Sequence, residues 1–178
     1  MEFKIEEIGQ HGILFVCTGN ICRSPTAEGV LLHLAKKARI SGWIEVDSAG
    51  LIDFHEGESP DQRSQEAALA RGIDLSHIRA RKIVAEDFKK FDNIFALDQS
   101  HKDALLELAP EEDRNRIMLL MDFAPNIDAK DVPDPYYGGP EDFERALDLI
   151  EIATTGIVDQ LCNIFPAERG STTSPAHD

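Results

Sequence analysis

Cys17-Thr-Gly-Asn-Ile-Cys-Arg23 follows the apolar run Ile13-Leu14-Phe15-Val16 and leads into Ser24-Pro25 and a helical pattern. The order predicts a strand, then a tight loop, then a helix N-terminus. Backbone N–H groups turned inward by such a loop, with the positive end of the helix dipole, make a cradle for an anion. A cysteine at the mouth of that cradle is placed to attack as a thiolate. Arg23, returning to the same place, can grip two phosphate oxygens with its planar fork. The layout suits attack of sulfur on phosphorus.

Outward from the loop, strand and helix patterns alternate. Trp43-Ile-Glu-Val46 alternates with period two, while Ile94-Phe-Ala-Leu97 and Ile117-Met-Leu-Leu-Met121 are short apolar runs. Ala27, Val30, Leu31, Leu34 and Ala38 form one helical stripe, and Phe143, Ala146, Leu147, Ile150, Ile157, Val158 and Leu161 a longer one. Ser59-Pro60-Asp61-Gln62 offers a capping box with Gly72 at that helix's exit, and Ser100 offers a cap for a helix through Leu108. Strands separated by helices imply an α/β fold, a parallel sheet covered on both faces. Ligands of such sheets bind outside the C-terminal strand ends, which brings Ser48 and Asp98 towards the Cys17 loop.

The 178 residues suffice for a core, and no linker interrupts the middle, so one domain is expected over residues 12–165. Residues 1–11 read as an N-terminal extension without a signal-peptide core, and 166–178, rich in Ser, Thr and Pro, as a disordered tail. A net charge of −15 argues against nucleic acid and anionic membranes as partners. Arg79-Ala-Arg-Lys82 reads as solvated surface, and no apolar run has the length of a membrane helix. Three cysteines fit a reduced compartment, so the expected location is the cytoplasm.

A thiol nucleophile acting on a phosphate ester needs an acid for the departing oxygen, and the same group must later activate water. The candidate is Asp134 in Val132-Pro-Asp-Pro-Tyr-Tyr-Gly-Gly-Pro140, a carboxylate between two prolines with two tyrosines behind it. Read alone, this stretch is ordinary turn chemistry, and Cys17 alone is an ordinary strand-end thiol. Gly19 and Asn20, tolerant of the backbone needed to wrap an anion, favour the chemical reading.

Cys17-Thr-Gly-Asn-Ile-Cys-Arg-Ser-Pro25, Asp47-Ser-Ala-Gly50 and Asp134-Pro-Tyr-Tyr137 together resemble the low-molecular-weight protein tyrosine phosphatase family. The resemblance implies a four-stranded parallel sheet in a doubly wound, flavodoxin-like order. The phosphate-binding loop would follow the first strand. It also implies hydrolysis of phosphotyrosine in protein substrates through a phosphocysteine, with no cofactor or metal. Cys17 would be the nucleophile, Arg23 the phosphate clamp and Asp134 the general acid and base. Thr18, Gly19, Asn20, Ile21, Cys22 and Ser24 would form the loop, with Ser24 bonded to the Cys17 sulfur. Asn20 would hold the strained turn, tied by Ser48 and by His77. Ile21, Phe54, Tyr136 and Tyr137 would wall the pocket. Leu51 departs from the family's usual small polar residue, and Phe54 from its Trp or Tyr.

Cys22 either packs beneath the loop or resolves an oxidised Cys17. Three other functions share the layout. Arsenate reductases need further cysteines, and the remaining one, Cys162, reads as core on the last helix. A non-catalytic phosphate module leaves Cys17, Arg23 and Asp134 without purpose. Arginine phosphatases resemble this chain closely but carry threonine at the place of Ile21.

Overall fold

The computed structural model describes residues 10–168. Four strands form an all-parallel sheet in the order β2-β1-β3-β4: β1 (His11–Cys17), β2 (Ile44–Gly50), β3 (Asn93–Ala96) and β4 (Ile117–Leu119). Five helices accompany them: α1 (Arg23–Ala38), α2 (Gln62–Ala70), α3 (Asp87–Lys90), α4 (Gln99–Leu108) and α5 (Pro140–Ile164). The fold expected from sequence is the fold observed.

Strand β1 runs through the middle of the sheet, which explains its unbroken apolar sequence. Ile13, Phe15 and Cys17 face a core shared with α1 and α5, while Leu14 and Val16 face one shared with α3 and α4. Phe15 stacks on Phe95, and Phe95 meets Phe123 edge to face, so rings carry the first core across the sheet. Because β1 pairs with β2 on one side and β3 on the other, the chain reverses direction of build-up at its carboxyl end. Such a switch point opens a crevice, and the Cys17 loop lies there.

Several local expectations shift. The cap of α2 is Asp61, not Ser59, and that of α4 is Asp98, not Ser100; each carboxylate accepts the amide two or three residues on. A carboxylate outcompetes a hydroxyl there because it also meets the positive helix end. Trp43 lies in a 3-10 turn before β2, and Leu120 and Met121 in another after β4. Cys162 is exposed rather than core.

Hydrogen bonds reach beyond both expected boundaries. Gln10 bonds the Gly42 carbonyl and β1 starts at His11, so the expected extension reaches into the fold at its end. Pro166 accepts the Trp43 indole N–H, and Glu168 donates its amide to the Arg39 carbonyl, so hydrogen bonds tie 166–168 to the fold. The rest of the expected extension and tail lies outside the described residues. Among the described residues no helix is long and apolar enough to cross a membrane.

Candidate active site

The loop leaves β1 at Cys17 and turns sharply at Asn20, whose φ of 56° is left-handed. Asn20 is fully buried and pays for that conformation with three hydrogen bonds: its amide donates to Ser24 and Ser48 hydroxyls, each at 2.9 Å, and accepts the Arg81 N–H at 2.9 Å. The carbonyls of Cys17, Thr18 and Ile21 are also taken, by the amides of Leu51, Ile52 and Asp61. Among the described residues, the amides of Gly19, Asn20, Ile21 and Cys22 have no protein acceptor, as an anion cradle requires. Gly50 permits the close approach of β2, because a Cβ there would stand 2.8 Å from the Thr18 carbonyl oxygen.

Cys17 Sγ lies 3.0 Å from Ser24 Oγ, which is also 3.3 Å from the Ala49 carbonyl. A serine has one proton to give, so it can donate to a thiolate, or receive from a thiol and donate to Ala49. Ser24 thus serves sulfur in both states.

Arg23 is 4 % exposed, and its guanidinium is fixed on three sides. Nη1 donates to Asp98 Oδ2 at 2.8 Å and to the Val132 carbonyl at 3.2 Å, and Nη2 to Asp134 Oδ2 at 3.0 Å. The Asp98 carboxyl lies below its usual range: burial opposes the charge, but the Ser100 hydroxyl, the His101 amide and nearby positive charge outweigh it. Asp134 also accepts the Tyr136 N–H at 3.1 Å, which sets the carboxylate within its own turn. Arg63 tethers that turn, donating to the Tyr136 and Gly138 carbonyls from a position over the Phe143 ring.

A cleft of about 220 Å³ is lined by Cys17, Thr18, Gly19, Ile21, Cys22 and Arg23 below. Ile52, His55, Asp134, Tyr136 and Tyr137 line its sides. Two expectations fail here. Phe54 is 79 % exposed and outside the cleft, packing edge-on against His55, which takes the wall position with Ile52. His77 is exposed and does not reach Asn20, since the turn sends Ile78 inward and the Arg81 amide supplies the bond instead. The basic stretch 79–82 is not all solvated surface, because the Arg81 side chain forks onto Asp47 and Asp87.

Sequence reasoning missed Glu28 and His101. Glu28 is buried and accepts the Ser48 hydroxyl at 2.6 Å; burial, helped by the Asp47 charge, pushes its carboxyl up to about 7. His101, 2 % exposed, bonds the Thr18 hydroxyl through Nε2 at 2.9 Å. Cys22 packs with Ile21, Ala80 and Phe143; burial, with the Asp61 charge behind it, pushes its thiol up to about 12.

A cysteine and an arginine at either end of an amide cradle, with a carboxylate over the same cleft, define a class: proteins that hold a phosphoryl group against a thiol. The comparisons agree. The family model described as low molecular weight phosphotyrosine protein phosphatase matches residues 12–164, and the chain belongs to this family. It is 42 % identical over 149 residues to a low molecular weight protein-tyrosine-phosphatase of Streptomyces coelicolor, covering 82 % of this chain and 90 % of that one. A protein tyrosine phosphatase of Entamoeba histolytica superposes with a TM-score of 0.83 at 38 % identity, over 86 % of this chain and 98 % of that one. Wzb of Vibrio vulnificus, in complex with benzylphosphonate, does so with a TM-score of 0.74 at 33 % identity, over 85 % and 99 %.

Proposed function

We propose that this chain hydrolyses phosphotyrosine in proteins through a phosphocysteine. The observation that carries the reading is the convergence of Cys17, Arg23 and Asp134 on one cleft whose floor is the amide cradle. The phosphate oxygens sit on the loop amides and Arg23, and the Cys17 thiolate attacks phosphorus from below. As the S–P bond forms, the P–O bond to tyrosine breaks, and protonated Asp134 gives its proton to the departing phenolate. Asp134, now a carboxylate, takes a proton from water as that water attacks phosphocysteine. Inorganic phosphate leaves and the thiolate returns. Arg23 and the amides offset the charge on the equatorial oxygens throughout.

The apolar sides of the cleft, Ile21, Ile52 and Tyr136, suit an aromatic ring, and the benzylphosphonate bound by Wzb is a phosphonate on such a ring. Three free cysteines, one of them the nucleophile, favour action in the reduced cytoplasm. The test is Cys17→Ser. Turnover of phosphotyrosine peptide should be abolished while vanadate or phosphate still binds, because the cradle is backbone and Arg23. Turnover near wild type in the serine variant defeats the mechanism.

A further inference from the structure

We infer that His101 is a positioning residue of the phosphate loop, its imidazole tying Thr18 to the Asp98 carboxylate that holds Arg23; this rests on reading the cleft as a phosphate site. His101 stands in the first turn of α4, and its amide donates to Asp98 Oδ1 at 2.9 Å. The ring then folds back so that Nε2 meets Thr18 Oγ1 at 2.9 Å, while Nδ1 is 3.1 Å from the same Asp98 Oδ1. Nδ1 is buried and, among the described residues, has no aligned hydrogen-bond partner, while the Asp98 carboxylate stands beside it.

These distances favour one tautomer. A bare Nδ1 would set its lone pair against an anionic oxygen in a dry site, which is costly. The proton therefore sits on Nδ1, attracted by Asp98 across an imperfect angle, and Nε2 accepts the Thr18 O–H. The ring stays neutral: burial lowers its proton affinity, to about 4, more than Asp98 raises it. A cation here would also face Arg23.

The consequence falls on the loop. Its far end is held by Asn20 and Ser24, but Thr18, at the near end, is exposed and, among the described residues, otherwise held by one hydrogen bond, its carbonyl accepting the Ile52 amide. The rigid imidazole adds a second tie and gives Thr18 and Arg23 a common anchor, since the other oxygen of Asp98 holds the guanidinium at 2.8 Å. Both ends of the anion grip are thereby set before phosphate arrives, which is how a preorganised site avoids reorganisation on binding.

The experiment measures inorganic phosphate affinity in the full chain, with folding checked by circular dichroism. His101→Phe, which keeps a ring and removes both nitrogens, should weaken phosphate binding about tenfold. His101→Gln, whose amide oxygen can accept the Thr18 O–H, should recover most of that loss. Imidazole 15N–1H correlation spectra should show the proton on Nδ1 and a shifted Nε2 resonance in Thr18→Val. A proton on Nε2, or wild-type affinity in folded His101→Phe, overturns the proposal. If His101→Phe does not fold, Thr18→Val against Thr18→Ser decides: loss in the first alone supports the tie, and equal affinity overturns it. Since binding is read and not turnover, a failure here leaves the phosphatase reading untouched, whereas failure of that reading would show as loss of turnover with phosphate binding intact or as no phosphate binding in the wild type.

Discussion

Arg23 Nη2 and Asp134 Oδ2 lie 3.0 Å apart, so the phosphate clamp and the candidate acid hold one another across the cleft. Phosphate seated on the loop would take over that guanidinium nitrogen and free Asp134 Oδ2 to face the leaving oxygen. Asp134→Ala therefore loses proton transfer without losing the clamp. Its phosphotyrosine turnover should fall on the order of 10²- to 10⁴-fold. The fall should be smaller for acidified phenols, which leave unaided, and phosphate affinity should not drop. Pre-steady-state release from a series of aryl phosphates checks this; one common factor across the series removes Asp134 from the role.

Glu28 supports the loop at one remove, through Ser48 to Asn20. Burial first, then the Asp47 charge, raises its carboxyl from 4.5 to about 7, against the pull of Ser48 and Arg81. A raised folded value means the folded state holds the proton more tightly. The stabilisation is thus fully present below about 4.5 and lost as pH rises through about 7. Glu28→Gln keeps an acceptor for the Ser48 hydroxyl and carries no charge. Urea unfolding should show the variant similar to wild type at pH 5 and more stable at pH 8, by up to about 3 kcal/mol. A difference that does not change with pH refutes the assignment.

The three thiols should separate by reactivity. Cys22 and Cys17 are both buried at the floor of the cleft, but the Cys22 thiol is pushed up to about 12, so at neutral pH it remains protonated. Cys162 is exposed on α5, and Cys17 opens onto the cleft. Brief treatment of the native protein with iodoacetamide should label Cys162 and Cys17, with phosphate protecting Cys17 alone. Cys22 should take label only after unfolding. Peptide mass mapping reads the result, and labelling of Cys22 as fast as Cys162 contradicts it.

What the sequence made legible was whatever local order determines. An unbroken apolar strand in mid-sheet, a loop with Asn20 where a left-handed turn falls, and a helix starting at Arg23 all lie within a few residues. Ser48 and Asp98 were reachable because parallel topology places strand ends together. His77 points outward while the Arg81 amide four residues on reaches Asn20, and His55 rather than Phe54 lines the cleft, because pointing in a turn is set by dihedrals that no period reveals. Glu28, Arg63 and His101 act through partners 20, 73 and 83 residues away, and no local signal marks such contacts.

Substrate choice should follow from Ile21, whose apolar, β-branched side chain lines the cleft with Ile52 and Tyr136. That surface packs against a phenyl ring and offers nothing to a guanidinium. Contact of the substrate ring with Tyr136 adds roughly 0.5–1.5 kcal/mol beyond area burial. Phosphoserine is too short: its backbone would meet the rim, where Tyr137 stands 96 % exposed, before phosphorus reached Cys17. Phosphotyrosine peptides should therefore turn over best, phosphoarginine weakly and phosphoserine negligibly. Ile21→Thr, which adds a hydroxyl and removes apolar surface, should move activity towards phosphoarginine. Phe54→Ala, outside the cleft, should change kcat/KM for phosphotyrosine far less than Tyr136→Ala. Matched peptides decide the matter: a wild-type preference for phosphoarginine would overturn the substrate and leave the phosphocysteine chemistry standing.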